Sequence, residues 1–384
     1  MSSSDLDPSR LTSAQHAALS YVETLVRRHE SLSRRRIDQA LERARCATKT
    51  YDEAMDCVRF HARVVLHFHP DRLGNKPVTV AEALLSEGIY RNQFETGRSS
   101  GSLSAFPGGP RDAWERRLFG GAYHHEEGIS DSERPKYGAL ELVRHPDGPI
   151  PRFGSCYFVL RQEVAARTSF TFAGSEDPRS AERLGILGRM DNVMGELFAE
   201  IEGGGMAAPP WPPYRAPTLG LPNLTIPRIL EVLKALAVSR QDQAGQAPGR
   251  VLDTQIEAQV HGTIDLRRDV ELLVADAAFS GTSTGRILHE LGTRYEFPLR
   301  WHGGFRLAAR DVPDDFRGPE MPRLAACIAA KDGILDAAAI GLAETSLFQR
   351  PEKWSDWGNQ AYTLQHLKQL WHVLVHYGQS ARRM

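Results

Sequence analysis

The run V-V-L-H-F-H-P-D-R, from Val64 to Arg72, constrains this chain more than any other stretch. Val64, Val65 and Leu66 are continuously apolar, and His67, Phe68 and His69 then alternate, which reads as a buried strand ending at a surface. Pro70 has no N–H for a ladder and disfavours helix for His69, so the strand should stop there. Asp71, Arg72, Leu73 and Gly74 form the turn beyond it. Two histidines, an acid and an arginine thus leave one core strand together, and active sites are commonly built on loops held by a rigid element.

Three functional readings fit these residues. His67-x-His69-x-Asp71 sets three metal ligands on one strand face, as in zinc-dependent hydrolases. His69-Pro70-Asp71 is also the tripeptide that joins two helices in J-domain co-chaperones. In the third reading Arg72 clamps a pyrophosphate and the histidines donate to a ribose. The plain alternative is a set of hydrogen-bonded residues at a strand end, although polar groups seldom crowd a core strand.

A chain of 384 residues implies two lobes or one large elaborated domain. With 41% hydrophobic and 25% charged residues it can bury a sizeable core. The balance of 47 basic against 48 acidic residues gives no overall pull toward nucleic acid or an anionic membrane. Arg34-Arg35-Arg36 is a local exception on a helix whose basic face reads as a solvated one. Cys46, Cys57, Cys156 and Cys327 lack C-x-x-C spacing and read as free thiols of a reducing compartment. No apolar run reaches ~18 residues, and M-S-S-S-D lacks a basic-then-apolar signal. The expectation is a cytoplasmic protein, a description that also covers delivery into another cell by a secretion system needing no cleaved signal. Nothing in the sequence fixes an oligomeric state.

Apolar spacing predicts a helix from Leu11 to Leu41 capped by Thr12 or Ser13, and a second from Tyr51 to Arg63. Val78 to Ser86 reads as helix, and Ile89 to Phe94 as a strand opening a Gly/Ser loop that runs to Gly109. That loop has neither P-loop nor G-x-G-x-x-G spacing. Trp114 to Leu118 reads as helix, whereas Tyr137-Gly138-Ala139-Leu140, Tyr157 to Leu160 and Thr168 to Phe172 read as strands. Arg183 to Ile201 is predicted helical, residues 203–217 a Gly/Pro-rich connector, and Ile226 to Val238 an amphipathic helix. Thr254 to Leu266 is a period-2 strand with Gln255, Glu257, Gln259 and His261 in a column on one face. Arg267–Ala275 and Ser283–Leu291 read as helices, Phe297 to His302 as a strand, and Gly333–Glu344 and Trp357–Tyr377 as closing helices.

The order of an arginine at a strand end, a Thr/Ser segment and a strand with Gln-x-Glu resembles the plan of toxin-type mono-ADP-ribosyltransferases. The residues carrying it are Arg72, the Asn92 to Ser100 segment, and Gln255-Ile256-Glu257. The middle patch departs from the family's strand-borne Ser-Thr-Ser, reading Glu95-Thr96-Gly97 and Ser99-Ser100. Across most of the chain, H-F-H-P-D-R, Y-R-N-Q-F-E-T-G, E-R-P-K-Y-G-A-L, S-F-T-F and E-A-Q-V-H-G are similar to an uncharacterised bacterial domain family. That family resembles bacterial effector toxins that ADP-ribosylate a threonine of ubiquitin.

The resemblance implies an α+β fold, an ADP-ribosyltransferase-like split antiparallel β core over residues 63–310, between helical regions at 1–62 and 311–384. It implies NAD as substrate and a protein acceptor, with ubiquitin as its example, and neither nucleic acid nor membrane as partner. Glu257 would be the catalytic carboxylate, because cleaving the nicotinamide–ribose bond passes through an oxocarbenium-like state that a carboxylate stabilises. Arg72 would hold the pyrophosphate, with His69 beside it. Asn92, Gln93 and Thr96 would meet the nicotinamide amide or ribose, and Tyr90 or Tyr137 would stack on the nicotinamide. Gln255 would steer the acceptor; an arginine-modifying enzyme typically has glutamate there, so glutamine fits a different acceptor.

The rivals stay open on the sequence. A zinc-dependent hydrolase would use His67, His69 and Asp71 with His124, His125, His261 or His302, but Arg72 sits where the familiar H-x-H-x-D-H places a ligand. A J-domain needs helices around the tripeptide, where this chain has the apolar Val64–Leu66 run. A non-enzymatic binding protein would use the basic N-terminal helix.

Overall fold

In the computed structural model, residues 11–73, 78–97, 105–124, 129–203, 218–221, 223–240 and 256–380 are described. The chain opens with α1 (Ser13–Arg43) and α2 (Thr48–His61), followed by β1 (Arg63–Phe68), α3 (Val80–Glu87), β2 (Ile89–Tyr90), α4 (Gln93–Thr96) and α5 (Pro110–Leu118). Next come β3 (Lys136–Glu141), β4 (Cys156–Leu160), β5 (Thr168–Phe172), β6 (Leu184–Ile186), α6 (Asp191–Glu202), α7 (Ile226–Lys234) and β7 (Ile256–Val260). The remainder is β8 (Ile264–Asp265), α8 (Leu266–Asp269), β9 (Val270–Asp276), α9 (Ser283–Tyr295), β10 (Leu299–His302), β11 (Leu307–Ala308), α10 (Met321–Ile328), β12 (Ile334–Leu335), α11 (Ala337–Gln349) and α12 (Gln360–Tyr377).

This is a mixed α/β architecture around one large sheet. Among the described residues that sheet has 8 strands in the order β10-β9-β4-β1-β3-β7-β5-β6. Its pairs are antiparallel except β9 with β10, which is parallel. The H-F-H-P-D-R strand is therefore central, as its apolar run demands. Val65 pairs with Ala139 on β3 and Val159 on β4, and Ala139 pairs with Glu257 on β7. Side chains alternate across a strand, so Val65, Ala139 and Glu257 form a row on one face.

The two faces differ in chemistry. On one, Val64, Leu66, Phe158, Phe170, Ala258 and Val260 join a hydrophobic cluster that runs from α2 through α6, α7 and α9 to α12. On the other, a small apolar cluster of Val65, Ala139, Tyr157, Val159, Leu272 and Val274 covers the β1–β4–β9 side. The β3–β7–β5 side of that second face is polar, and there the candidate site lies.

Where local signals were strong, the expected elements are present. Thr12 caps α1 in a reciprocal box with Gln15, and β1 ends one residue before His69. Three expectations are corrected. The strand expected from Ile89 to Phe94 is only two residues long, because the Asn92 side chain caps α4 instead. Arg183–Ile201 divides into β6, paired with β5 through Gly185, and α6. Arg267–Ala275, expected helical, holds only the four-residue α8 before β9, a strand hydrogen-bonded on both edges. Its V-E-L-L-V-A-D run fits both periods over so short a length, and burial between β4 and β10 decides it.

Candidate functional site

Glu257 is the second residue of β7, half-buried on the polar face. Its Oε1 accepts from the Ser175 backbone N–H at 3.2 Å and from Gln259 Nε2 at 2.9 Å. Among the described residues Oε2 has no hydrogen-bond partner. Gln259 is held in turn: Nε2 also donates to Thr171 Oγ1 at 3.1 Å, and Oε1 accepts from Ser169 Oγ at 2.9 Å. The polar column seen in the sequence is thus a chain of hydrogen bonds across β7 and β5 that orients one carboxylate. Burial pushes the Glu257 carboxyl up to about 7, nearby Glu176 adds to this, and the Gln259 and Ser175 bonds and the Arg111 charge oppose it.

A second acidic cluster sits over the same face. Pro110 starts α5 at its first position, where a missing N–H costs nothing. Asp112 and Glu115, three residues apart, share the buried side of that helix. Arg134 bridges them, 2.7 Å from Asp112 Oδ1 and 2.8 Å from Glu115 Oε2, with its guanidinium 4.1 Å from the Phe94 ring centre. His124 Nε2 lies 2.8 Å from the same Asp112 oxygen. Burial raises the Glu115 carboxyl to about 7 against the pull of Arg134. Burial acts on Asp112 too, but bonds from the Gly108 N–H, His124 and Arg134 outweigh it and hold that group below its ordinary value. Tyr137 connects the two clusters. Its ring lies on the Glu257 face of β3, beside Gln259 across the ladder, and its hydroxyl donates to Glu115 Oε1 at 2.9 Å.

The other expected site residues are distributed differently. Arg72 Nε is 3.3 Å from Glu344 Oε2 on α11, with both side chains nearly or fully buried, so its guanidinium is committed to the C-terminal helices. The residue expected to clamp a pyrophosphate is thus one half of a buried ion pair. Asp71 is packed against α11 as well, since a Cβ on Gly341 would fall 1.5 Å from its carboxylate; burial pushes it up to about 7. His69 is buried edge-on to Trp371, with Ser155 Oγ 3.5 Å from Nδ1. Asn92 is buried, and its Oδ1 accepts from the Phe94 and Glu95 N–H groups while Nδ2 donates to the Asp131 and Arg134 carbonyls. Those four bonds leave it no capacity for nicotinamide. Thr96 donates to the Asn92 carbonyl at 3.0 Å, and Gln93 is half-buried beside it on α4. The Tyr90 hydroxyl donates to the His67 carbonyl at 3.2 Å. Gln255, His125 and most of the 203–217 connector lie outside the described residues.

The zinc reading is not supported by the geometry. Among the described residues no group of three or more His, Cys, Asp or Glu side chains is arranged to hold a metal ion. His67 Nδ1 is 3.0 Å from the Gly154 carbonyl and its ring stacks on Tyr157; burial lowers its pKa to about 4. His302 Nε2 is 3.0 Å from the Ser155 carbonyl, and its Nδ1 accepts from the Gly304 N–H. His261 is stacked on Tyr123, whose hydroxyl lies 2.6 Å from Nδ1. Each of these three histidines is hydrogen-bonded within the protein through at least one ring nitrogen.

The sequence reading missed Glu115, Asp112 and Arg134. The signal was present in R-D-A-W-E-R-R-L, where Asp112 and Glu115 lie one helical turn apart, on the side of α5 that packs toward the sheet. No described helix is long and apolar enough to cross a membrane.

Residues 63–377 match the model of a family described as a protein of unknown function, DUF3626, and the chain belongs to that family. No curated protein matches the chain.

Proposed function

We propose that this member of the DUF3626 family cleaves the bond between nicotinamide and ribose in NAD and passes the ADP-ribosyl group to a protein acceptor. The observation that carries the reading is Glu257: a half-buried carboxylate fixed through Oε1 by Ser175 and Gln259, with Oε2 left to a ligand. Departure of nicotinamide leaves positive charge on the ribose, and an oriented carboxylate in a poorly solvated site stabilises it with little reorganisation. Oε2 also serves as acceptor for a ribose hydroxyl, which positions the ring. The adjacency of β1, β3 and β7 supports an ADP-ribosyltransferase-like core in which three motif strands lie side by side. In that arrangement the middle motif is Tyr137-Gly138-Ala139, not Asn92 to Ser100. Arg111 takes the pyrophosphate in place of Arg72, because its charge already reaches both Glu257 and Tyr137. The Tyr137 ring offers the nicotinamide a stacking face, and Gln255 steers the acceptor.

The reading is tested by calorimetric titration of the full chain with NAD and, separately, with zinc. Micromolar NAD binding without stoichiometric zinc uptake is expected, followed by mass addition to ubiquitin, the first acceptor to try. Stoichiometric zinc with no heat from NAD would return the assignment to His67, His69 and Asp71.

A further inference from the structure

ADP-ribosyl transfer to a hydroxyl, of a protein or of water, must dispose of a proton, and in the reading above Glu257 Oε2 is already taken by a ribose hydroxyl. The Tyr137 hydroxyl donates to Glu115 Oε1 at 2.9 Å, while its ring stands on the Glu257 face, diagonally across the ladder from Glu257. Such diagonal pairs lie about 7–8 Å apart at their Cα atoms, the span of one intervening acceptor group. Glu115 itself is fully buried and out of an acceptor's reach.

We infer that Tyr137 and Glu115 form the proton relay of the site, Tyr137 taking the proton of the attacking hydroxyl while handing its own to Glu115. In the step, the acceptor oxygen forms a bond to the ribose C1 carbon, and the C1–nitrogen bond breaks with its electron pair leaving on nicotinamide. The acceptor proton moves to the Tyr137 oxygen, and the Tyr137 proton moves to Glu115 Oε1. The phenol ends neutral, and Glu115 ends as a carboxylic acid that returns its proton to solvent between turnovers. The inference rests on the NAD-transferase reading and adds a chemical role to a residue first expected only to stack.

The surroundings suit the role. Glu115 faces Arg134, Asp112 of its own helix, and Tyr137, with the charges of Lys136 and Tyr123's environment also coupled to it. Glu257 faces Glu176, Arg111 and Tyr137. Arg134 keeps Glu115 ionisable, so that it accepts a proton near neutrality, and burial brings its carboxyl to about 7.

The test compares wild type, Tyr137→Phe and Glu115→Gln for nicotinamide release over pH 5–9, with NAD affinity measured by calorimetry. Phenylalanine keeps the stacking ring and removes only the hydroxyl. Because Glu257 and Glu115 must both be ionised, log kcat of the wild type should rise with a slope approaching two below pH 7. In Tyr137→Phe, NAD affinity should hold within about twofold, kcat should fall about 10²–10³-fold, and the slope should drop to one. Glu115→Gln should show the same slope of one, with Asp112 still pairing Arg134 to keep the fold. A Tyr137→Phe variant that turns over at the wild-type rate with a slope of two would overturn the relay and leave the transferase reading standing. Absence of nicotinamide release from wild type would overturn both.

Discussion

At the scale of single residues, the charged groups divide into those proposed to act on a ligand and those that hold the fold. Glu257 is on the first list. Glu257→Gln keeps the Ser175 and Gln259 contacts by shape but removes the charge, so nicotinamide release should fall by about 10²–10³-fold while the circular dichroism spectrum is unchanged. Arg72 is on the second. Arg72 and Glu344 form a buried ion pair, and breaking it with Arg72→Ala should destabilise the chain by about 3–5 kcal/mol in urea titration. Replacing both partners by apolar residues should recover most of that loss, whereas an unchanged stability with weakened NAD binding would restore Arg72 to the site. The sequence made Arg72 look functional because a turn guanidinium after a core strand suits an anion. What it could not reveal is that α11, some 270 residues later, supplies a carboxylate.

At the scale of elements, the sheet was legible wherever one face is apolar. The column of Gln255, Glu257, Gln259 and His261 was visible because period-2 alternation separates the faces by eye, and β7, from Ile256 to Val260, carries Glu257 and Gln259 of it. β9 was not legible, since a strand buried on both faces loses its alternation and resembles a short helix. Nor was the α5 cluster: its meaning depends on Arg134 and Tyr137, which arrive from β3 and the segment before it. The close approach of β3 to β1 gives an element-scale prediction. A Cβ at Gly138 would fall 2.2 Å from the Val65 carbonyl oxygen, a backbone atom that cannot rotate away. Gly138→Ala should therefore pry β3 from β1 at a cost of about 1–3 kcal/mol, read from the urea midpoint. An unchanged midpoint would mean that β1 and β3 are not paired in this register.

At the scale of the whole molecule, the site acts against stability. Glu257 has a folded pKa of about 7, above its ordinary value, so it contributes stability only at low pH, and that contribution is lost as pH rises through 7. The stability difference between Glu257→Gln and wild type should move in the variant's favour by about 3 kcal/mol between pH 5 and pH 8. A constant difference would show that the carboxyl ionises freely in the fold. The buried His67 has the opposite sign: its pKa is lowered to about 4, so its contribution is full above about 6.5 and fades as pH falls. Keeping an oriented carboxylate on its largest sheet at this cost is what the proposed role of Glu257 would require. The most direct measurement is nicotinamide release from NAD by wild type and by Glu257→Gln across pH 5–9. The account predicts release by the wild type that climbs as pH rises to about 7 and is about 10²–10³-fold slower in the folded variant. Equal release by both proteins, or none by either, would contradict it.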